Sequence, residues 1–365
     1  IVGHSIVSQG AHSIDATPIG RIGLAHWSGP GGEEVVVCRR DEHHVEIHCH
    51  GGTAAVRSIV SQLEAEGCQP ISWQAWLRRV SSGSICAAAH IELSNALTER
   101  TAAILVDQLQ GALSAAIRAI VNNVAAASWD AARVAIHELL GRSELGVHLT
   151  KPWRVVVFGV PNVGKSSLIN ALAGYERAIV SPFPGTTRDV VTVAMAIDGW
   201  PVLLADTAGF RPTHDDLESA GVELAATMAA KADLLIRVED ATSLTDERSD
   251  CHIESSCSSV VEPARAIRVI NKIDLIPSSD RPRFFDRLIS PDNRRSNVLV
   301  VSALTGDGIA QFSEEISRVL VPIVPRDGSG VPFTADQIAQ LDQARIAIER
   351  QDASPAIQLL HAMLE

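Results

Sequence analysis

No uninterrupted apolar run in this chain approaches the ~18 residues that span a bilayer, so no segment reads as a membrane helix and no membrane partner is expected. The stretch from Ile1 to Pro18 lacks the basic-then-apolar form of a secretory signal. It opens on Ile rather than Met, and the start reads as trimmed or misplaced. None of the six cysteines (Cys38, Cys49, Cys68, Cys86, Cys251 and Cys257) forms a C-x-x-C pair. They read as reduced thiols of a cytoplasmic protein. Positive charge is not in excess either. The formal net charge is −12, which opposes the neutralisation of phosphates behind tight, non-specific nucleic-acid binding. One local cluster, Arg281, Arg283, Arg287, Arg294 and Arg295, reads as a solvated loop and helix face.

Apolar material is ample. The 365 residues are 46% hydrophobic and 20% charged, which fits a soluble chain of two or three domains. The most informative stretch is Gly159-Val-Pro-Asn-Val-Gly-Lys-Ser-Ser167, directly after the apolar run Val155 to Phe158. Its G-x-x-x-x-G-K-S spacing predicts a strand, a tight loop and a helix, whose backbone N–H groups cradle phosphates. Lys165 can reach the β- and γ-phosphates, and the Ser166 hydroxyl is placed to coordinate Mg²⁺. Asn162, Val163, Gly164 and Ser167 complete this part of the expected GTP site.

Four further signals follow in order. Pro184-Gly185-Thr186-Thr187-Arg188-Asp189 sits in a loop before the apolar stretch Val190 to Ile197, and Ser181, Pro182 and Phe183 just upstream are counted with the expected GTP site. A threonine there can ligate Mg²⁺ when the γ-phosphate is present and release it afterwards. Val202 to Ala205 reads as a buried strand ending in Asp206-Thr207-Ala208-Gly209. Arg268 to Asp274 is a strand ending in Asn271-Lys272-Ile-Asp274. A carboxylate at Asp274 accepts from the guanine N1–H and amine, a donor pair that adenine lacks. Val298 to Val301 leads into Ser302-Ala303, whose backbone can donate to the guanine oxygen. A lone Asn-Lys-Ile-Asp is most often a solvated turn; five such signals in series point to a guanine-nucleotide site.

The strands alternate with helical segments (Ser166 to Ala173, Leu217 to Lys231, Ile309 to Leu320), so the fold class is α/β: a parallel sheet flanked by helices, with ligand at the C-terminal strand ends. From about 90 to 149, Ile104, Leu105, Leu109, Leu113, Ile117, Ile120 and Val124 recur at helical spacing. No turn punctuation is evident before Ser128, which predicts one long helix and then a shorter one from Trp129 to Leu140. Thr334 to Leu364 predicts two more helices, broken near Ser354-Pro355. Helices on both sides of the nucleotide domain are able to form one bundle. Near the N-terminus, Val45 to Cys49 alternates as a strand does, with Glu46, His48 and His50 opposite Val45, Ile47 and Cys49. The expected division is 1–85, a small α+β domain; 86–150, the first part of a helical domain; 151–321, the nucleotide domain inserted in it; and 322–365, its second part.

These residues resemble the MnmE/TrmE family of tRNA-modifying GTPases. The resemblance rests on G-x-P-N-x-G-K-S-S-L-x-N-A-L and P-G-T-T-R-D, on Thr17-Pro18 and Ser28-Gly29, and above all on Val45-Glu-Ile-His-Cys-His-Gly-Gly52. It implies a P-loop GTPase domain whose hydrolysis depends on K⁺ rather than an arginine. By motif alignment Asn162, Ser181, Phe183 and Thr186 would hold K⁺, Thr187 would join Ser166 on Mg²⁺, and Glu218 would act as the general base through water. It further implies a homodimer, a formylated tetrahydrofolate held in part by Glu46, an FAD-dependent partner protein, and tRNA whose wobble uridine gains a 5-carboxymethylaminomethyl-type group.

Other features depart from the family. His26 replaces an arginine, the F-L-N-G-K segment is absent, and Glu365 is reached without the terminal C-x-G-K. The GTPase is therefore expected complete and the modification apparatus altered. Two other readings remain: a GTP-regulated switch that modifies nothing, and a ribosome-assembly GTPase.

Overall fold

The computed structural model describes residues 6–8, 18–28, 32–178, 191–206, 232–244, 265–288 and 298–365. The chain divides into two compact units, Ile1–Arg79 and Val80–Glu365.

The first unit is an antiparallel meander, β1 (Ile6–Ser8), β2 (Ile22–Trp27), β3 (Glu34–Arg39) and β4 (Val45–His48), paired in that order, with helices α1 (Thr53–Ala65) and α2 (Trp73–Val80). Alternation puts Ala25, Trp27, Val35 and Val37 on one face, where they pack with Ile59 of α1. The Trp27 indole N–H donates to Gln62 Oε1 at 2.6 Å, so the polar end of the largest core side chain is satisfied. On the opposite face Ile22, Leu24 and Val36 are exposed.

The second unit opens with α3 (Ser84–Leu93), α4 (Glu99–Leu109), α5 (Ala112–Ala125), α6 (Trp129–Leu140) and α7 (Ser143–Val147). The single long helix expected across Ile104 to Val124 is two helices, bent by 48°. Gly111 causes the break. It sits at φ +101, a left-handed conformation that a glycine adopts without strain and that no helix interior accommodates. Among the described residues no single helix is long and apolar enough to cross a membrane. After the nucleotide region the chain returns as α11 (Ala335–Glu349) and α12 (Ala353–Ala362). The break between these two falls at residues 350–352, and Pro355 instead occupies the first turn of α12, where its missing N–H costs nothing. Leu105, Leu113, Ile117 and Ile136 share one apolar cluster with Val331, Leu341, Ile348 and Leu360. Buried Gln108 stitches the return, donating to Ser329 O and accepting from the Val331 N–H.

Between these helices lies a seven-stranded sheet. Its strands are β5 (Trp153–Phe158), β6 (Arg177–Ala178), β7 (Val191–Ile197), β8 (Trp200–Asp206), β9 (Leu234–Asp240), β10 (Ala266–Asn271) and β11 (Val298–Val300), in the order β11-β10-β9-β5-β8-β7-β6. Five strands are parallel, as the alternation predicts. β7 and β6 make the other edge antiparallel. The reason is local: Asp198 (φ +48) and Gly199 (φ +76) form a two-residue turn that folds β8 straight back along β7. Helices α8 (Lys165–Tyr175) and α10 (Ile309–Leu320) cover one face, burying Leu168, Leu172, Phe312 and Ile316 against Val155, Ile236 and Val269. On the other face Ile270 packs with Ile273, Ile276 and Phe284, the last from α9 (Arg281–Leu288). Burial on both faces explains why these strands read as continuous apolar runs. The sheet meets the helical part through Arg100 of α4, which donates to the Asp198 carbonyl (2.5 Å) and carboxylate (2.7 Å). Arg265 makes a forked pair with Glu144, at 2.7 and 2.8 Å.

Candidate functional site

Strand order reverses at β5: β8 lies on one side and β9, β10 and β11 on the other. Such a switch point opens a crevice at the C-terminal edge of a parallel sheet. The predicted motifs converge there because each one caps a strand: Gly159 follows β5, Asp206 ends β8, Asn271 ends β10 and Ser302 follows β11.

The loop 159–164 leads into α8, whose N-cap is Gly164 at φ +93. A side chain at Gly164 would run into Asn271 Nδ2, so close packing as well as backbone conformation demands glycine. Asn162 is left-handed as well, at φ +66, and Val163 is buried beneath the loop. The first-turn N–H groups of α8, at Lys165, Ser166 and Ser167, have no helical partners and carry the positive end of the helix dipole. Lys165 Nζ lies within the loop, donating to Gly159 O (2.8 Å) and Val160 O (3.0 Å). Burial lowers the Lys165 pKa and the nearby Asp206 opposes that shift. The Ser166 hydroxyl donates to Asp206 Oδ2 at 2.6 Å, and Asp206 is buried. A hydroxyl beside a carboxylate, next to a phosphate-binding loop, is a hard oxygen set that fits Mg²⁺.

On the guanine side, Asn271 is 2% exposed. Its Nδ2 donates to Val163 O at 2.9 Å and its Oδ1 accepts from the Ala303 N–H at 3.0 Å. The Ala303 N–H, expected to face the guanine oxygen, thus serves in this structure to hold Asn271. Lys272, at φ +70, donates from Nζ to Asn162 O (2.7 Å) and to Asp240 Oδ2 (2.6 Å). Ser302 Oγ donates to Asp274 Oδ1 at 2.5 Å, leaving that carboxylate with further lone pairs for guanine donors. Asp240 was passed over by sequence reasoning; its one signal is a carboxylate closing an apolar strand.

The structure therefore brings together Asn162, Val163, Gly164, Lys165, Ser166, Ser167, Asp206, Asn271, Lys272, Asp274, Ser302 and Ala303. Ser181, Pro182, Phe183, Pro184, Gly185, Thr186, Thr187, Thr207, Ala208, Gly209 and Glu218 lie outside the described residues. So does the expected helix from Leu217 to Lys231. In the first unit, Glu46 stands on β4 in register with Cys38 of β3. Its carboxylate pairs with Arg40 Nε at 2.8 Å and lies 3.6 Å from His48 Nε2. The Arg40 hydrogen bond holds the Glu46 carboxyl below the usual carboxylate range.

A family model described as 50S ribosome-binding GTPase matches residues 154–272. The tRNA modification GTPase MnmE of a Thermus thermophilus strain is 32% identical over 340 residues, covering 86% of this chain and 72% of that protein. The chain belongs to the MnmE family. A second MnmE, from Synechococcus sp. (strain JA-3-3Ab), is 33% identical and covers 85% of this chain and 71% of its own length. Among solved structures, Era in complex with MgGDPNP and a 16S ribosomal RNA fragment is 29% identical, with a TM-score of 0.36; the match covers 48% of this chain and 59% of that one. As a member of the MnmE family with a P-loop site, this chain is a GTP hydrolase.

Proposed function

We propose that GTP hydrolysis by this chain depends on K⁺ and drives modification of the wobble uridine of tRNA. The observation that carries this reading is similarity to MnmE proteins along 86% of the chain. Within that site Lys165 and the first turn of α8 bind the phosphates. Ser166, whose hydroxyl donates a hydrogen bond to Asp206, and Thr187 would hold Mg²⁺. Asn271, Asp274 and Ser302 orient and select guanine. Asn162, with Ser181, Phe183 and Thr186, would hold K⁺, which when bound supplies positive charge at the β–γ bridge much as an arginine does. Glu218 positions the attacking water and takes its proton.

The chain acts as a homodimer whose nucleotide domains pair. Its first unit takes a formylated tetrahydrofolate at Glu46, and an FAD-dependent partner completes the tRNA chemistry. The Arg40–Glu46 pair supports a fixed carboxylate on that sheet face. GTP turnover is expected to fall at least about tenfold in Na⁺ relative to K⁺ and about a hundredfold in Glu218→Ala, the scale of a lost general base. Mass spectrometry of tRNA from cells lacking the gene is expected to show loss of the uridine 5-substituent. Equal turnover in both salts would remove the K⁺ assignment. Unchanged tRNA would favour a GTP-regulated switch, and co-sedimentation with ribosomal subunits would favour ribosome assembly.

A further inference from the structure

Asp240 belongs to none of the nucleotide motifs, yet its carboxylate is held on both sides. It closes β9, the strand between the phosphate-loop strand β5 and the guanine strand β10. Oδ1 accepts from the Thr242 N–H at 2.9 Å and the Thr242 hydroxyl at 2.8 Å, which fixes the rotamer. Oδ2 then receives the Lys272 ammonium at 2.6 Å. Burial pushes the Asp240 carboxyl up, but the hydrogen bonds from Lys272 and Thr242 outweigh it and hold it below the usual range.

The same ammonium donates to Asn162 O at 2.7 Å, and the neighbouring Asn271 donates to Val163 O. Two consecutive peptides of the phosphate loop are thus gripped from the end of β10. Asn271 is buried and locked by its own amide. Lys272 is different: its four-carbon stem is flexible and its head is a point charge with three donors. A lone carbonyl at Asn162 does not fix such a group; a second, charged anchor does. Asn162 and Lys272 are both left-handed non-glycine residues, conformations that persist only when their surroundings hold them.

We propose that Asp240 is a positioning residue of the nucleotide site: it fixes the Lys272 ammonium on the Asn162 carbonyl and so ties the guanine-reading strand to the phosphate loop. Its effect falls on nucleotide retention, because base selection is the work of Asp274 and Ser302. The inference rests on the guanine-nucleotide reading of this site. Retention of GDP by the unaltered chain tests that reading separately, so an unchanged variant would count against Asp240 alone.

The experiment is release of a fluorescent GDP from the full chain in Mg²⁺. Asp240→Ala is expected to release it about tenfold faster, a factor equivalent to ~1.4 kcal/mol. Asp240→Asn and then Thr242→Val follow with smaller effects in the same direction. In a Lys272→Met background, Asp240→Ala adds nothing, because both act through one contact. Selectivity for GDP over inosine diphosphate stays unchanged in Asp240→Ala and falls in Asp274→Ala. Release within twofold of the unaltered chain would overturn the proposal. So would simple addition of the Asp240 and Lys272 effects, or an Asp240 effect on base selectivity.

Discussion

The two sheets of this chain solve the burial problem differently. The seven-stranded sheet is covered on both faces, with Val155, Ile236 and Val269 under α8 and α10 and Ile270 beneath Phe284. The four-stranded sheet buries one face on α1 and leaves Ile22, Leu24 and Val36 exposed on the other. On the larger sheet the chemistry sits at the strand ends, where loops are fastened by Asn271, Lys272 and Ser302. On the smaller sheet the polar residues Glu46 and His48 stand on a strand itself, opposite the core face. A two-sided core can hold strained loops in place; a one-sided core leaves a sheet face for contact.

The largest test of this contrast is Trp27→Ala. Trp27 is 2% exposed and fills the thin core, so its loss should cost about 3–5 kcal/mol. Hydrogen exchange is expected to show lost protection in β2, β3, β4 and α1 while β5, β9 and β10 keep theirs. Uniform loss through both units would mean that the two cores are one cooperative structure.

A smaller effect is expected from Gly164→Ala. The substitution imposes a side chain at φ +93 and drives its methyl into Asn271. The strain is about 1–3 kcal/mol, and relief requires the Asn271–Val163 bond to open. Urea unfolding should register the destabilisation and GDP titration a weaker affinity. Unchanged GDP binding would show that the loop need not be fastened at Asn271.

The smallest effect concerns the start of the larger sheet. His148 stacks on Trp153 with ring centroids 3.6 Å apart, and its Nε2 lies 3.7 Å from Asp233 Oδ1. Burial pushes the His148 pKa down, and the Asp233 charge opposes the shift without cancelling it. Below about 6.5 the unfolded chain therefore takes up more protons than the folded one. This contribution to stability is complete above that pH and lost as pH falls through the folded pKa. His148→Phe, which keeps the stacking, should show a shallower loss of melting temperature in acid. A slope equal to that of the unaltered chain would remove His148 as the cause.

Much of the nucleotide site was readable because its motifs are local. Gly159 to Ser167 occupies one loop and one helix start, and Asn271 to Asp274 a single strand end. The expected strands of the larger sheet, and the helices at Trp129 to Leu140 and Ile309 to Leu320, follow from apolar runs and periodicity of the same kind. Gly111 escaped notice because the apolar repeat continues on both sides of it, so the pattern survives a 48° bend. Asp240 escaped because a carboxylate at a strand end followed by a threonine is an ordinary turn signal; the partner that ties it to the site, Lys272, is 32 positions away.

By itself, then, the sequence determined the alternation of the nucleotide domain's parallel strands and helices, the guanine-nucleotide chemistry of this chain and its family. Only the tertiary structure decided that helices 99–140 and 335–362 share one core and that Ser166 meets Asp206. It alone placed Lys272 between Asp240 and Asn162. Backbone conformation and burial period act over a few residues, whereas the Ser166 and Lys272 contacts join residues 32 to 110 positions apart. They exist because the strand order sets β5 between β8 and β9, and that order is a property of the packed sheet.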